Sequence, residues 1–373
     1  MKTLDKLREP GLLRTLTRRL RSLKVSSPVT LMEVCGTHTM AIHRAGLPSV
    51  FPPNLHVLSG PGCPVCVTPT EYLDRAMAMA REYGVMLTTF GDMMRVPGSS
   101  GNLTFLRGEG YPVEVVYSPL GALDLAREHQ EQQVVFLAVG FETTAPTVAA
   151  TVKYAREQQL RNFSILCAHK LIPPALEVLL ADPEINVDGF ILPGHVSVIL
   201  GSEPYRFIAE KHHRACVITG FEPADVAQGI LMLVEQLRSG EPRVEIQYRR
   251  GVRPEGNARA LKFVDELFEP ADATWRGFGL IPKSGLVLRE AFSEFDAAER
   301  FPVEIEPQPE PAGCLCGEVV RGKVAPPECG LFARACTPDT PVGPCMVSSE
   351  GACAAFYRYS PQSRTSKGGS DDD

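Results

Sequence analysis

Eight short apolar runs, VTLMEVC, LHVLSGPG, VMLTTFG, VEVVYSP, VVFLAVGFE, FSILCAH, GFILPGH and ACVITGFE, each end in small or polar residues and lead into a helical stretch. They end near Cys35, Gly62, Phe90, Ser118, Glu142, His169, Gly194 and Phe221, so successive gaps are 27, 28, 28, 24, 27, 25 and 27 residues. That cadence is the mark of βα units feeding a mainly parallel sheet. Eight units could close into a barrel, but two open sheets of about four strands each, related as an internal duplication, suit the same length. We favour an α/β fold of two similar Rossmann-like open sheets, one domain at 25–120 and the other at 121–238. The recurrence of Gly140-Phe141-Glu142 as Gly220-Phe221-Glu222 hints at the repeat. Beyond about residue 240 the cadence breaks, and residues 239–362 are expected to form a C-terminal domain entered through the Pro-rich stretch 301–313. The tail 363–373 has the composition of a disordered segment.

Residues 1–24 carry eight Lys/Arg and two Asp/Glu, with Leu12, Leu13, Leu16, Leu20 and Leu23 at helical spacing. A basic amphipathic helix follows, read first as docked on its own protein with a solvated basic face and second as an arm for an acidic partner or membrane. The whole chain has net charge −6, which predicts no general attraction to nucleic acid. No run reaches the roughly 18 apolar residues of a membrane helix, and no secretory signal opens the sequence, so a cytoplasmic protein is expected. In that compartment, 11 cysteines read as metal ligands or redox thiols rather than structural disulfides.

Parallel sheets gather reactive groups at the carboxyl ends of their strands. Here those ends supply Cys35 and His38, the Cys63-Pro64-Val65-Cys66 pair, Asp92, Glu142, His169, His195 and Glu222. Cys63 and Cys66, placed at the start of a helix beginning near Pro69, could form a reversible disulfide or bind a soft metal. Cys35 would add a third thiolate to the same crevice, leaving a coordination position open. His38 and His195 could orient a thiolate or relay a proton, or be satisfied loop histidines. Glu142 could act as general acid/base or cap the helix starting near Thr144. Cys167 and Cys216 lie in apolar strand runs and read as buried hydrophobes.

Cys314, Cys316, Cys329, Cys336, Cys345 and Cys353 place six cysteines within 40 residues. No histidine follows residue 213, leaving four-thiolate zinc or an iron–sulfur cluster, and the two surplus thiols favour the cluster. No phosphate-binding glycine motif is present.

The motifs CGTHTM (35–40), GPGCPVC (60–66), TFGDMMRVPGS (89–99), GFETTAPT (140–147), PGHVSVI (193–199) and CTPDTPVGPCMVSSEGACAA (336–355) closely resemble the HypD family of [NiFe] hydrogenase maturation factors, across nearly the whole chain beyond the N-terminal helix. The resemblance implies two α/β domains across a cleft and a third carrying a [4Fe-4S] cluster. It implies a cytoplasmic redox-active scaffold, monomeric alone, rather than a conventional turnover enzyme. Such a scaffold forms a stable complex with the small chaperone HypC, and through it serves the hydrogenase large subunit. It holds a mononuclear iron in the cleft, at Cys35, Cys63 and Cys66, while the iron gains two cyanides and one carbon monoxide. Cyanide comes transiently from HypE, on a carrier made with HypF. The family's C-x14-C-x6-C-x16-C pattern fits Cys314, Cys329, Cys336 and Cys353 as cluster ligands, with Cys316 and Cys345 as a second redox pair; a set using Cys345 in place of Cys314 is the alternative. The rivals from other classes are an iron–sulfur disulfide oxidoreductase acting on a protein thiol, and a four-cysteine zinc interaction module.

Overall fold

The structure, a computed structural model, describes residues 10–25, 27–306 and 308–360. All eight expected runs are strands, and they pair into two wholly parallel sheets. The first contains β1 (Val29–Glu33), β2 (Leu55–Ser59), β7 (Gly189–Leu192), β8 (Ala215–Ile218) and the unforeseen β9 (Val244–Ile246), in the order β2-β1-β7-β8-β9. The second contains β3 (Met86–Thr89), β4 (Val113–Val115), β5 (Val134–Gly140) and β6 (Phe163–His169), in the order β4-β3-β5-β6. Each strand pair keeps an unbroken parallel register, from Val29 opposite Leu55 to Gly140 opposite His169. β5 and β7 are buried at every position, as strands covered on both faces must be.

This pairing corrects the expected domain boundaries. The chain begins the first sheet, leaves to build the whole second sheet, and returns at β7, so a division at 120/121 cuts through the second sheet. A division at 238/239 severs β9 from its partner β8. Periodicity reports that a run is a strand; it carries no record of its neighbour, which long-range burial decides. The duplication is real in topology, because both sheets share the order second, first, third, fourth along the chain. The Gly-Phe-Glu recurrence does not mark it: β5 is the third strand of its sheet and β8 the fourth.

An antiparallel hairpin, β10 (Phe268–Trp275) and β11 (Gly279–Leu288), packs beside β6 and contributes Phe268, Leu286 and Leu288 to the core of the second sheet. The helix Pro10–Arg21 buries Leu16 and Leu20 against the helix Pro223–Ser239 and exposes Arg14, Arg18, Arg19 and Arg21. The docked alternative therefore describes it, for those residues that the structure describes. The tail expected to be disordered lies outside the described residues. Among the described residues no helix is long and apolar enough to cross a membrane.

Candidate functional site

Strand order reverses between β1 and β7 and between β3 and β5, and a crevice opens beyond the carboxyl ends at such points. Cys35 stands at the first of them, as N-cap of the helix Gly36–Arg44, its carbonyl oxygen accepting from His38 N at 2.8 Å and Thr39 N at 3.1 Å. Its own N–H donates to Glu33 Oε2 at 2.9 Å. Burial, with Glu350 and Glu33 nearby, pushes the Cys35 thiol up to about 12. Burial likewise raises Glu33 to about 8, against the hydrogen bond it accepts from Thr39. Glu350 arrives from the cysteine-rich segment and accepts from Thr37 Oγ1 at 2.6 Å.

The GPGC loop lies directly on this strand end: Gly36 N donates to Gly62 O at 2.9 Å. A Cβ on Gly62 would sit 2.1 Å from Cys35 N and 2.4 Å from the carbonyl carbon of Val34, both backbone atoms. Gly62→Ala should therefore cost about 1–3 kcal/mol or more through forced backbone movement, read as a lower urea midpoint at unchanged slope. Cys63 and Cys66 form a disulfide. The helix expected to begin near Pro69 does so, running Thr70–Tyr83 with Pro69 as its N-cap, but the pair sits one turn ahead of it on an unforeseen four-residue helix, Pro64–Val67, whose N-cap is Cys63.

The two histidines come together around an aromatic ring. His38 and His195 stack on Phe221 with centroids 4.8 and 3.8 Å away. His38 Nε2 lies 3.0 Å from Gly220 O and 2.8 Å from Thr219 Oγ1, its Nδ1 is buried without a partner, and burial lowers its pKa to about 4. A neutral imidazole clamped in this way fits the satisfied-histidine alternative better than a charged relay. Glu142 does not cap the helix Ala145–Glu157 that follows it; Oε1 accepts from Ile172 N at 2.8 Å, at the start of the helix Ile172–Ala181. Oε2 is buried without a partner, and burial raises the carboxyl to about 7. Tyr205 is fully buried with no hydrogen-bond partner for its hydroxyl among the described residues, and burial first, with Glu142 and Cys35 adding to it, pushes that hydroxyl well above its usual range. His169 turns elsewhere, 3.4 Å from Cys167 Sγ and edge-on to Phe268. Glu222 caps the helix Pro223–Ser239. Cys216 is fully buried as expected, whereas Cys167 is half-buried and donates to Leu286 O at 3.0 Å.

The cysteine-rich segment folds over both strand ends. Ser348 Oγ donates to Asp92 beyond β3 at 2.9 Å, while Glu350 holds Thr37 beyond β1. The helix Ala352–Tyr359 packs on the helix Gly36–Arg44, and the short helices Cys316–Val320 and Pro344–Val347 both pack on Pro64–Val67. Cys314, Cys316, Cys329, Cys336 and Cys353 line one small pocket with Leu331, Phe332 and Met346. Cys345 bonds Cys316 and Cys353 beside it. Hydrogen bonds from Cys316 and Cys345 lower the Cys353 thiol, while Cys345 is pushed up. Val342 N points at Cys336 Sγ from 3.3 Å. Soft donors, an apolar lining and an N–H···S contact fit an iron–sulfur cluster. Among the described residues no three His, Cys, Asp or Glu side chains surround a point as ligands of a single ion would.

The family described as HypD, hydrogenase formation hypA family, matches residues 11–360. The chain belongs to the HypD family. It is 45% identical over 371 residues to the hydrogenase maturation factor HypD of Azotobacter vinelandii, covering 97% of this chain and 98% of that protein. Against the hydrogenase maturation factor HypD of Escherichia coli, identity is 42% over 369 residues, with 97% and 99% covered. Against that of Rhodobacter capsulatus it is 42% over 370 residues, with 96% and 98% covered. The HypD motifs noted in the sequence thus lie at strand ends and in the segment that folds over them. Motif reading passed over Glu33, Tyr205, Arg276 and Glu350. Glu33 had a signal, a carboxylate inside an apolar strand run, and Glu350 lies among the cysteines of the last motif; Tyr205 and Arg276 gave none, because their partners are remote in sequence.

Proposed function

We propose that this HypD-family chain is an assembly scaffold for the iron centre of [NiFe] hydrogenase. Cys35 and a cysteine of HypC hold a mononuclear iron as cargo while cyanide and carbon monoxide are added, joined by one thiolate of the Cys63–Cys66 pair whenever that pair is open. Soft thiolates suit an electron-rich iron that back-donates into such ligands. Cyanide arrives as a thiocyanate on a carrier cysteine of HypE; two electrons break its S–C bond, releasing a carrier thiolate and cyanide. The reduced Cys63/Cys66 pair supplies those two electrons, closes to the disulfide and releases two protons. Glu142 Oε2 and Tyr205 Oη, buried between the sheet ends, are placed to hold a proton near the cargo.

The observation that carries the reading is the packing of Pro64–Val67 against both short helices bearing Cys316 and Cys345. Cys314, Cys329, Cys336 and Cys353 would hold a [4Fe-4S] cluster, which when bound would supply single electrons drawn from a low-potential donor protein. Cys316, in the pocket lining, is in contact with Cys345 behind it, and this contact supports assigning the two as the intermediate pair. Reopening the Cys63–Cys66 disulfide then takes two electrons and two protons.

The test is anaerobic co-purification with HypC from cells competent for cyanide synthesis, followed by metal analysis and infrared spectroscopy. About five irons per complex, four from the cluster and one cargo ion, with bands of metal-bound carbon monoxide and cyanide, are expected. Four irons and no such bands would favour a disulfide oxidoreductase, and a colourless zinc protein would overturn both.

A further inference from the structure

The turn joining β10 to β11 is a wedge between the disulfide and the cysteine-rich segment. Trp275 anchors it, stacked on Phe141 and donating Nε1–H to Ser284 Oγ at 2.8 Å. Gly277, at φ +83°, lies so close to the helix Cys316–Val320 that a Cβ would stand 2.6 Å from Gly317 O. Between them, Arg276 reaches the loop that follows Cys66. Its N–H donates to Val67 O at 2.8 Å, Nε to Thr68 O at 3.2 Å and Nη2 to Thr70 Oγ1 at 3.0 Å. Nη1 pairs with Glu310, and the cation acts on Cys314 as well.

The Arg276 side chain is 2% exposed and that of Glu310 49%. A buried guanidinium is costly to desolvate, and its one carboxylate partner is half in water. Glu310 is the one carboxylate paired with it and is screened by water, while the guanidinium itself stays buried on Thr68 and Thr70, in the loop that follows Cys66. Backbone carbonyls there would be satisfied equally by a neutral donor. What an arginine adds is a fixed positive charge that cannot be lost by deprotonation.

We infer that Arg276 is a positioning residue that tunes the Cys63–Cys66 couple, holding the loop after Cys66 and favouring the reduced, anionic form of the pair. The inference rests on the redox role given above to Cys63 and Cys66. Reduction by dithiothreitol balances simply: its two thiols pass two electrons and two protons to the disulfide, leaving cyclic oxidised reagent and two cysteine thiols. Thiolate formed by the product then lies in the field of Arg276. At an effective dielectric of about 20, one unit charge about 12 Å from a thiolate shifts such an equilibrium about tenfold.

The experiment equilibrates the full chain at pH 8 in dithiothreitol buffers of stepped ratio, then quenches, alkylates and counts reduced Cys63 and Cys66 by mass spectrometry. Arg276→Met should move the equilibrium about tenfold toward the disulfide, about 30 mV in a two-electron couple. Arg276→Lys, which keeps the charge, should recover most of that shift. Arg276→Met with native circular dichroism and an unchanged equilibrium would overturn the inference, as would a lysine variant shifted as far as methionine. If Arg276→Met does not fold, Glu310→Gln decides: removing the half-exposed countercharge should shift the pair two- to threefold toward dithiol, and no shift overturns the role. The measurement uses neither cargo iron nor hydrogenase. Failure of the scaffold reading would appear in the infrared spectrum instead, with this equilibrium unaffected.

Discussion

Replacing Cys35 by alanine should reduce hydrogenase maturation to background while leaving the cysteine-rich segment and its absorbance intact. Cys35 is not among the six C-terminal cysteines, and its contact with their segment runs through the helix it caps and through Thr37 and Glu350. Losing one buried sulfur costs about 1 kcal/mol, too little to unfold a chain of this size. The functional loss is expected to be large because Cys35 is the ligand proposed to keep the cargo iron. Burial first, and then Glu350 and Glu33 beside it, push the Cys35 thiol up to about 12. A dication entering the crevice would displace that proton, because a bound metal ion stabilises the thiolate that ligates it. The complex with HypC, purified anaerobically from cells carrying the variant, should lose the infrared bands of cyanide and carbon monoxide and one iron, keeping about four. Loss of the brown colour together with the bands would show that crevice and cluster are one site, contrary to the separation proposed here.

The sequence disclosed strand ends more readily than strand partners. All eight βα runs were visible because each is apolar, β-branched and closed by small residues, and parallel sheets bury such runs on both faces. β9 escaped notice because Val244–Ile246 is three residues long and half-exposed. The hairpin escaped because Phe268–Trp275 buries only its ends and carries Pro270. Sheet membership was misassigned at 120/121 for a different reason: β4 and β5 are consecutive in the chain yet lie on either side of β3.

The same asymmetry governs the site. Cys35, Cys63, Cys66 and Glu142 were identifiable because strand ends in a parallel fold converge, whatever the strand order. Arg276 could not be identified, since its role depends on a hairpin turn reaching Thr68 across 208 residues. Glu142 shows the intermediate case. Its position was legible, but its partner was not: the helix it caps begins 30 residues downstream rather than two.

Glu142→Gln should make the protein more stable than the parent above neutral pH, by up to about 3 kcal/mol relative to the difference at pH 4. Burial raises the carboxyl from 4.5 to about 7, outweighing the N–H bonds, including that of Ile172, that favour its charged form. The folded chain therefore keeps a proton over that range that the unfolded chain releases. The stability associated with this proton is complete below pH 4.5 and is lost as pH rises toward 7, and the size follows from a shift between those values at about 1.4 kcal/mol per unit. The amide retains an oxygen for the Ile172 N–H and has no charge to bury. Urea midpoints of both proteins at pH 5 and pH 8 measure the effect as a difference, in which Glu33 and His38, present in both, cancel. A difference that stays constant between those pH values would mean that Glu142 ionises in the ordinary range. If it widens as expected, Glu142 changes charge close to neutral pH while its second oxygen is buried without a partner. A carboxyl that is neutral on one side of that value and anionic on the other can donate a proton at the crevice and take it back without any rearrangement of the sheets that hold it.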